Sequence, residues 1–172
     1  MTEGSLLTEK LEIHRLTKAA FAAFGNVIEA DPSTMRLING GYTERYHALS
    51  SPQVIGEPLP IIFNIFRSPP RPFPYEVTMM ERHPFASQSF TPLSGHPFLV
   101  AVSEDVRGVP GKPRVFLVGP HQGINYSPNV WHHPLMALQA TSDFLVIDRE
   151  NPQDNYEEFF FPEPYLLEEP RL

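Results

Sequence analysis

The sequence has no cysteine and comparatively few basic residues. The missing cysteine excludes disulfides, thiolate metal sites and cysteine nucleophiles. Thirteen Lys and Arg against 20 Asp and Glu give a formal charge of −7, which argues against nucleic acid or an anionic membrane as the partner. An anionic small substrate is still compatible with this charge, because one or two arginines in a pocket can override the global sign.

Long apolar runs and several familiar catalytic motifs are missing as well. No stretch approaches the roughly 20 apolar residues of a membrane helix. Glu3, Glu9, Lys10 and Glu12 make the first dozen residues too charged for a signal peptide, so we expect a soluble cytoplasmic protein. There is no serine-centred elbow, phosphate loop, dinucleotide glycine fingerprint or HExxH helix, which removes the enzyme classes built on them.

Proline, in contrast, is abundant, with 20 residues. Prolines interrupt helices and favour turns and strand edges, so the pattern predicts an all-β sandwich or barrel of roughly ten short strands. One short helix is expected near the start, capped by Thr17, running over 18–24 and stopped by Gly25. We expect a single domain over 1–172, with a flexible leader over 1–12. An acidic, aromatic tail over 150–172 should pack on the barrel or on a neighbouring subunit.

Two predicted segments matter for the site. Residues 131–140 are expected to form one strand, because they are largely apolar. Residues 68–74, with the sequence SPPRPFP, predict a rigid extended connector between two strands. A proline-rich ligand for a partner domain is the alternative for this connector, and we favour the loop.

The stretch NYSPNVWHHP over 125–134 predicts a turn that delivers histidines. Asn129 follows Ser and Pro, and asparagine tolerates left-handed backbone better than other non-glycine residues. A strand that leaves this turn sends His132 and His133 to opposite faces. We expect His132 to face inward, His133 to face outward with a structural hydrogen bond, and Trp131 to join the core.

A second group of polar residues has the spacing of a metal site. Glu81 and His83 are two apart on a predicted strand and share one face. Gln88 follows five residues later, and His132 comes from a distant hairpin. Glutamate, histidine and glutamine donors suit a divalent ion such as Ni, Mn, Fe or Zn. The alternative is a hydrogen-bonded polar cluster in a barrel mouth.

This spacing resembles the two motifs of the cupins. Glu81 and His83 stand where the first cupin motif has two histidines, Gln88 stands at its glutamate, and Gly95 at its glycine. In the second motif Asn129 stands at the turn glycine and His132 at the histidine. The resemblance implies a cupin-type double-stranded β-helix, which is a jelly-roll barrel.

The resemblance narrows to one family. INGGYTERYH (38–47), ERHPFASQSFTPLSG (81–95), QGINYSPNVWHHPL (122–135) and TSDFLVIDR (141–149) are similar to the ureidoglycolate lyase family. It implies a cytoplasmic homodimer that cleaves (S)-ureidoglycolate into glyoxylate and urea in allantoin and purine degradation. It also implies a divalent metal cofactor, Ni²⁺, held by His83, His132, Glu81 and Gln88.

The substrate chemistry assigns candidate roles to further residues. Ureidoglycolate is a hemiaminal, so its cleavage removes the hydroxyl proton, protonates the ureido nitrogen and requires the carboxylate to be held. Glu81 is the candidate base where it is not a ligand, and metal-bound His83 acts with it. The other candidates are Asp148 or Tyr126 as proton donor, Arg45 or Arg149 for the carboxylate, and Asn39 and Asn125 for the urea amide.

Three alternatives stay open at this stage. One is a ureidoglycolate hydrolase that releases ammonia and CO₂, and another is a different cupin reaction such as sugar-acid isomerisation or oxygenation. The third is a cupin that binds a small molecule without catalysis, which the substitutions at Glu81 and Gln88 favour. The density of acidic, basic and imidazole groups around His83 favours catalysis.

Overall fold

A computed structural model of the protein describes residues 8–150 and 155–172, and strands dominate it. No described helix has the length and apolarity to span a membrane. The elements in chain order are β1 (Ile13–Arg15), α1 (Lys18–Phe21), β2 (Gly25–Ile28), β3 (Met35–Ile38), β4 (Thr43–Tyr46), β5 (Ile61–Ser68), β6 (Tyr75–Arg82), β7 (Gln88–Pro92), β8 (Phe98–Ser103), β9 (Asp105–Val106), β10 (Val109–Pro110), β11 (Arg114–Val118), β12 (Gly123–Tyr126), β13 (Trp131–His132), β14 (Met136–Ala137), β15 (Ser142–Arg149) and β16 (Glu157–Leu167).

Two curled sheets form the barrel. Sheet A has the order β1-β11-β8-β13-β6-β16, with β14 also paired to β8, and sheet B has the order β2-β12-β7-β15-β5. Every pair in these sheets is antiparallel except β1 with β11. Two small hairpins, β3–β4 and β9–β10, stand apart from them. The prediction of an all-β, cupin-like barrel with a short N-terminal helix is confirmed.

The strand alternation places the core between the sheets. Phe144 and Val146 of β15 are fully buried in one apolar cluster with Phe98 and Val100 of β8, because alternate residues of a strand share a face. Leu99, on the opposite face of β8, belongs to a second apolar cluster that covers the outer side of sheet A. Sheet A is therefore buried on both faces, which explains why all six residues of β8 are buried.

The N-terminal helix closes the inner core. Its cap is the predicted one, since the Thr17 side chain accepts a hydrogen bond from the amide of Ala20 (3.1 Å). Phe21 and Phe24 are buried, with Phe21 in edge contact with Phe116 at 5.6 Å between ring centroids. The helix ends at Phe21, earlier than expected, because the chain turns at 22–24 to enter β2.

The strand expected over 131–140 is wrong as one continuous element. It divides into β13 and β14, because Pro134 has no N–H to donate to the strand ladder. His132 pairs with Glu81 of β6 and with Val102 of β8. The interruption leaves His132 at the end of a two-residue strand, with its side chain directed into the barrel.

Both chain ends pack on sheet A. The prediction of a flexible leader over 1–12 is wrong for residues 9–11, where Leu11 is buried and its amide donates to the carbonyl of Leu166 in β16 (2.9 Å). Phe159 and Phe161 of β16 pack against the outer apolar cluster, and β16 pairs with β6. Residues 1–7 of the predicted leader and 151–154 of the predicted tail lie outside the described residues.

Candidate active site

Three potential metal ligands converge inside the barrel, where β6 meets β13. One donor atom from each of Glu81, His83 and His132 lies within 4.8 Å of the other two. The cross-strand pairing of His132 with Glu81 explains their proximity. His83 follows β6 directly, and its ring centroid is 5.2 Å from that of His132. The turn before β13 has the predicted left-handed residue, Asn129 (φ 66°), whose amide donates to the carbonyl of His83 (2.8 Å).

Backbone carbonyls orient both imidazoles. The Nδ1–H of His83 donates to the carbonyl of Asn155 (2.7 Å), and the Nδ1–H of His132 donates to that of Val130 (2.9 Å). A carbonyl only accepts, so the proton sits on Nδ1 and each Nε2 presents a lone pair. Both Nε2 atoms are buried without a hydrogen-bond partner among the described residues. The Nε2 of His132 lies 3.5 Å from a Glu81 carboxylate oxygen.

The protonation states of these groups suit a cation. Burial and the neighbouring His132 lower the pKa of His83, so its ring is neutral at pH 7. Burial alone would raise the pKa of Glu81, but contacts with His132, His83 and Tyr156 outweigh it and hold that pKa below its ordinary value. An ionised carboxylate and neutral imidazoles are the forms that ligate a divalent metal. The three residues therefore fit a divalent metal.

Tyr126 forms one wall of the cluster. Its ring stacks on that of His132 with a centroid distance of 4.3 Å and an interplanar angle of 18°. Its hydroxyl is buried and has no hydrogen-bond partner among the described residues. Burial, with the charge of Glu81, raises the pKa of Tyr126 well above its ordinary value. The phenol therefore keeps its proton at neutral pH.

An amide–carboxylate network on sheet B faces the cluster. Gln88 Nε2 donates to one carboxylate oxygen of Asp148 (3.3 Å), and Asn64 Nδ2 donates to the other (3.0 Å). Because its nitrogen is engaged, the Oε1 of Gln88 is left buried with no described donor. Burial raises the pKa of Asp148 despite these two hydrogen bonds. This network presents a free amide oxygen and a carboxyl group to the interior.

A cavity of about 370 Å³ reaches the cluster at Glu81, while His83 and His132 are not among its lining residues. Its walls include Glu81 and Gln88 from the site and Arg71 from the connector 68–74. A larger groove of about 970 Å³ lies outside the barrel between β1 and the C-terminal residues, and it contains none of the cluster residues. The smaller cavity is the one that could hold a substrate beside the ligands.

Two of the predicted substrate-binding residues lie on the β3–β4 hairpin, and the structure does not bring them to the cluster within one chain. Asn39 is exposed in the turn, where its amide donates to Thr43 Oγ1 (3.2 Å). Arg45 is exposed and stands opposite Arg36 in the register. The hairpin pairs with neither sheet A nor sheet B. Strand pairing therefore does not bring these two side chains close to the cluster.

Strand alternation directs the other two predicted substrate-binding residues away from the cluster. Asn125 adjoins Tyr126 on β12 and points to the opposite face, where its amide donates to Ser50 Oγ (2.9 Å). Arg149 adjoins Asp148 in the same way, and its guanidinium carbon lies 5.8 Å from the ring centroid of Phe85. Neither makes a hydrogen bond to a cluster residue among the described contacts.

His132 and His133 point in opposite directions, as expected, with one difference in the environment of His133. Trp131 is buried on the outer side of sheet A, as predicted. His133 leaves the cluster but is buried rather than solvent-facing, and its Nε2 accepts a hydrogen bond from Tyr75 (3.3 Å). Burial lowers the pKa of His133 to about 4, so it is neutral.

Sequence reasoning missed three contributors to the site. The backbone oxygen of Asn155 orients His83, and the Tyr156 hydroxyl lies 3.1 Å from a Glu81 oxygen. A backbone acceptor such as the Asn155 carbonyl has no sequence signature, and the only signal for Tyr156 was the high aromatic content of the tail. Arg71 was not singled out, because the prolines around it already predict a loop.

The comparisons with known proteins agree with one another. A family model described as Ureidoglycolate lyase matches residues 8–168. The ureidoglycolate lyase of Rhizobium leguminosarum bv. trifolii is 63% identical over 166 residues, covering 96% of this chain and 100% of that protein. The ureidoglycolate lyase of Agrobacterium fabrum is 61% identical over 166 residues, with 96% and 100% covered. That of Brucella anthropi is 54% identical over 153 residues, with 89% and 90% covered. The chain therefore belongs to the ureidoglycolate lyase family.

Proposed function

We propose that this protein is a ureidoglycolate lyase that cleaves (S)-ureidoglycolate into glyoxylate and urea. One observation carries the proposal beyond family membership: the Nε2 atoms of His83 and His132 are buried without described hydrogen-bond partners, and both residues lie in the cluster with Glu81. Each such atom costs on the order of 1–3 kcal/mol when unsatisfied, so the pair supports a site that a ligand completes.

We propose that Glu81, His83 and His132 hold a divalent metal, with the Oε1 of Gln88 as a further donor. Family resemblance supports Ni²⁺, and a histidine, carboxylate and amide donor set is compatible with it. When bound, such an ion would lower the pKa of a substrate hydroxyl beside it and polarise a carboxylate oxygen.

The side chains account for the proton transfers. As the hydroxyl proton leaves, the C–N bond breaks, its electron pair passes to the ureido nitrogen, and the C–O bond becomes the aldehyde of glyoxylate. We propose that Glu81, ionised and on the cavity wall, accepts the hydroxyl proton where it is not a ligand. Asp148, whose pKa burial raises, is the donor to the ureido nitrogen. Tyr126 supplies a hydrogen bond rather than a proton.

Product analysis tests the reaction. Purified protein is incubated with racemic ureidoglycolate, with and without a chelator, and glyoxylate, urea and ammonia are quantified separately. We expect equal glyoxylate and urea, no ammonia, loss of activity on chelation and recovery with Ni²⁺. Ammonia release would instead indicate the hydrolase. A folded protein with no turnover would indicate a binding module.

Histidine-to-asparagine variants test the metal ligands directly. Asparagine retains a donor near the Nδ1 position but removes Nε2, so His83→Asn and His132→Asn should lose bound metal in elemental analysis while they stay folded. His133→Asn is the matched control, because His133 is equally buried but faces Tyr75. Equal metal content in all three variants would contradict the assignment.

We further propose that the protein is a homodimer, as the family resemblance implies. Phe63 and Ile65 on the edge strand β5 are 69% and 57% exposed, and an apolar edge strand is a common site of association. Sedimentation equilibrium of the wild type and of Phe63→Lys would test this, since the substitution should shift a dimer towards monomer. A monomeric wild type would contradict it. The cytoplasmic location stays a prediction.

A further inference from the structure

We propose that Arg71 is the residue that binds the substrate carboxylate and so determines specificity for 2-ureido acids. This inference rests on the proposed function and deepens it. The observation behind it is a cation without a described counter-ion on the wall of the cavity that opens onto Glu81 and Gln88.

Two arginines line this cavity, and only one of them is available. Arg67 is engaged by Asp143 through two parallel hydrogen bonds of 2.7 and 2.9 Å. Arg71 makes no ion pair with any described carboxylate, and its Nε is buried without a hydrogen-bond partner among the described residues. A buried guanidinium nitrogen without an acceptor is costly, and a bound carboxylate would satisfy it.

The backbone and one aromatic ring position Arg71 in advance. Its amide donates to the carbonyl of Ala137 in β14 (2.9 Å), and the preceding Pro70 forms a bridge with Ala137. Its guanidinium carbon lies 5.6 Å from the ring centroid of Tyr75, a cation–π distance. The side chain is therefore oriented before substrate arrives, which lowers the entropic cost of binding.

Electrostatics require such a cation. The opposite part of the cavity carries the carboxylate of Glu81. Its negative charge would repel a substrate carboxylate unless a cation lies near. His133, next to Arg71, is neutral at pH 7 and cannot supply the charge. The planar guanidinium of Arg71 matches a carboxylate with two parallel hydrogen bonds.

A pair of substrates separates carboxylate binding from general damage. Ureidoglycolate carries the carboxylate, while N-(hydroxymethyl)urea is the same hemiaminal without it. In Arg71→Gln we expect kcat/KM for ureidoglycolate to fall by about 10- to 100-fold, the loss typical of a charge-assisted hydrogen bond. Activity on N-(hydroxymethyl)urea should stay unchanged. Arg71→Lys, which keeps a charge, should lose less, and Arg67→Gln is the matched control with wild-type values.

A binding measurement makes the test independent of turnover. Glyoxylate binding is measured by calorimetry for wild type, Arg71→Gln and Arg67→Gln. We expect Arg71→Gln alone to lose binding. If the wild type bound glyoxylate through Arg71 but did not cleave ureidoglycolate, the lyase proposal would fail while this one stood. Equal losses on both hemiaminals, unchanged glyoxylate binding in Arg71→Gln, or no glyoxylate binding to the wild type would overturn it.

Discussion

Replacing Tyr126 with phenylalanine should stabilise the metal-free protein while it impairs catalysis. The Tyr126 ring is 2% exposed and stacks on His132, and phenylalanine preserves that packing. The substitution removes only the buried hydroxyl that lacks a described partner. An unsatisfied buried hydroxyl costs on the order of 1–3 kcal/mol. We therefore expect the free energy of unfolding to rise by about 1 kcal/mol or more, which raises Tm by about 2–4 °C for each kcal/mol.

The assay is urea unfolding of chelator-treated protein, with Tyr75→Phe as the matched control. The Tyr75 hydroxyl donates to His133 at 3.3 Å, so its removal should lower stability by about 0.5–1.5 kcal/mol. In the same Tyr126→Phe protein, kcat/KM for ureidoglycolate should fall by about tenfold through the loss of one hydrogen bond to the substrate. A destabilised Tyr126→Phe would refute the reasoning about the hydroxyl. A stabilised variant with full activity would refute its role in the site.

Two further predictions concern the backbone conformation at Gly25 and the hydrogen bond of Asn125. Gly25 (φ 148°) is the first residue of β2, and an added Cβ would lie 1.9 Å from the carbonyl oxygen of Asn125. Gly25→Ala should therefore lower the free energy of unfolding, measured by thermal unfolding, by about 3 kcal/mol or more. The control Gly41→Ala, which has open space around the added Cβ, should lower it by about 1–2 kcal/mol. Asn125→Ala should lower the free energy of unfolding by about 1 kcal/mol and leave kcat unchanged, because the Asn125 amide donates to Ser50. A loss of kcat without a loss of stability would contradict this placement.

The fold was predictable from sequence wherever local patterns decide the structure. The abundant prolines predicted an all-β barrel of short strands, and the predicted helix cap at Thr17 is present. The prediction failed in two places for different reasons. Pro134 divides the expected strand over 131–140 through a local effect, the missing N–H of proline. Leu11 holds a polar leader on sheet A through a tertiary contact, because its side chain is buried there.

The site was predictable to the extent that one strand or one turn determines it. Glu81 and His83 share a face because they are two apart, and the turn at Asn129 directs His132 inward. The arginine that we propose for the carboxylate could not be chosen this way, since all candidates have the same chemistry. Arg67 is paired with Asp143, Arg45 lies exposed on a separate hairpin, and Arg149 adjoins Asp148 on the opposite strand face, and these placements depend on residues far away in sequence.

The two sheets supply different groups to the site, and each of these groups is fixed in a position that leaves a polar atom without a partner. Sheet A supplies His132 and Glu81, together with His83, and their ring nitrogens are oriented by backbone carbonyls, so neither imidazole can rotate to satisfy itself. Sheet B supplies Gln88, whose nitrogen is fixed by Asp148, so its oxygen cannot turn away. Each group is held by a hydrogen bond on its far side and left unsatisfied on the near side. Such an arrangement lowers the stability of the free protein, and an ion bound between the sheets, as we propose, would offset that cost.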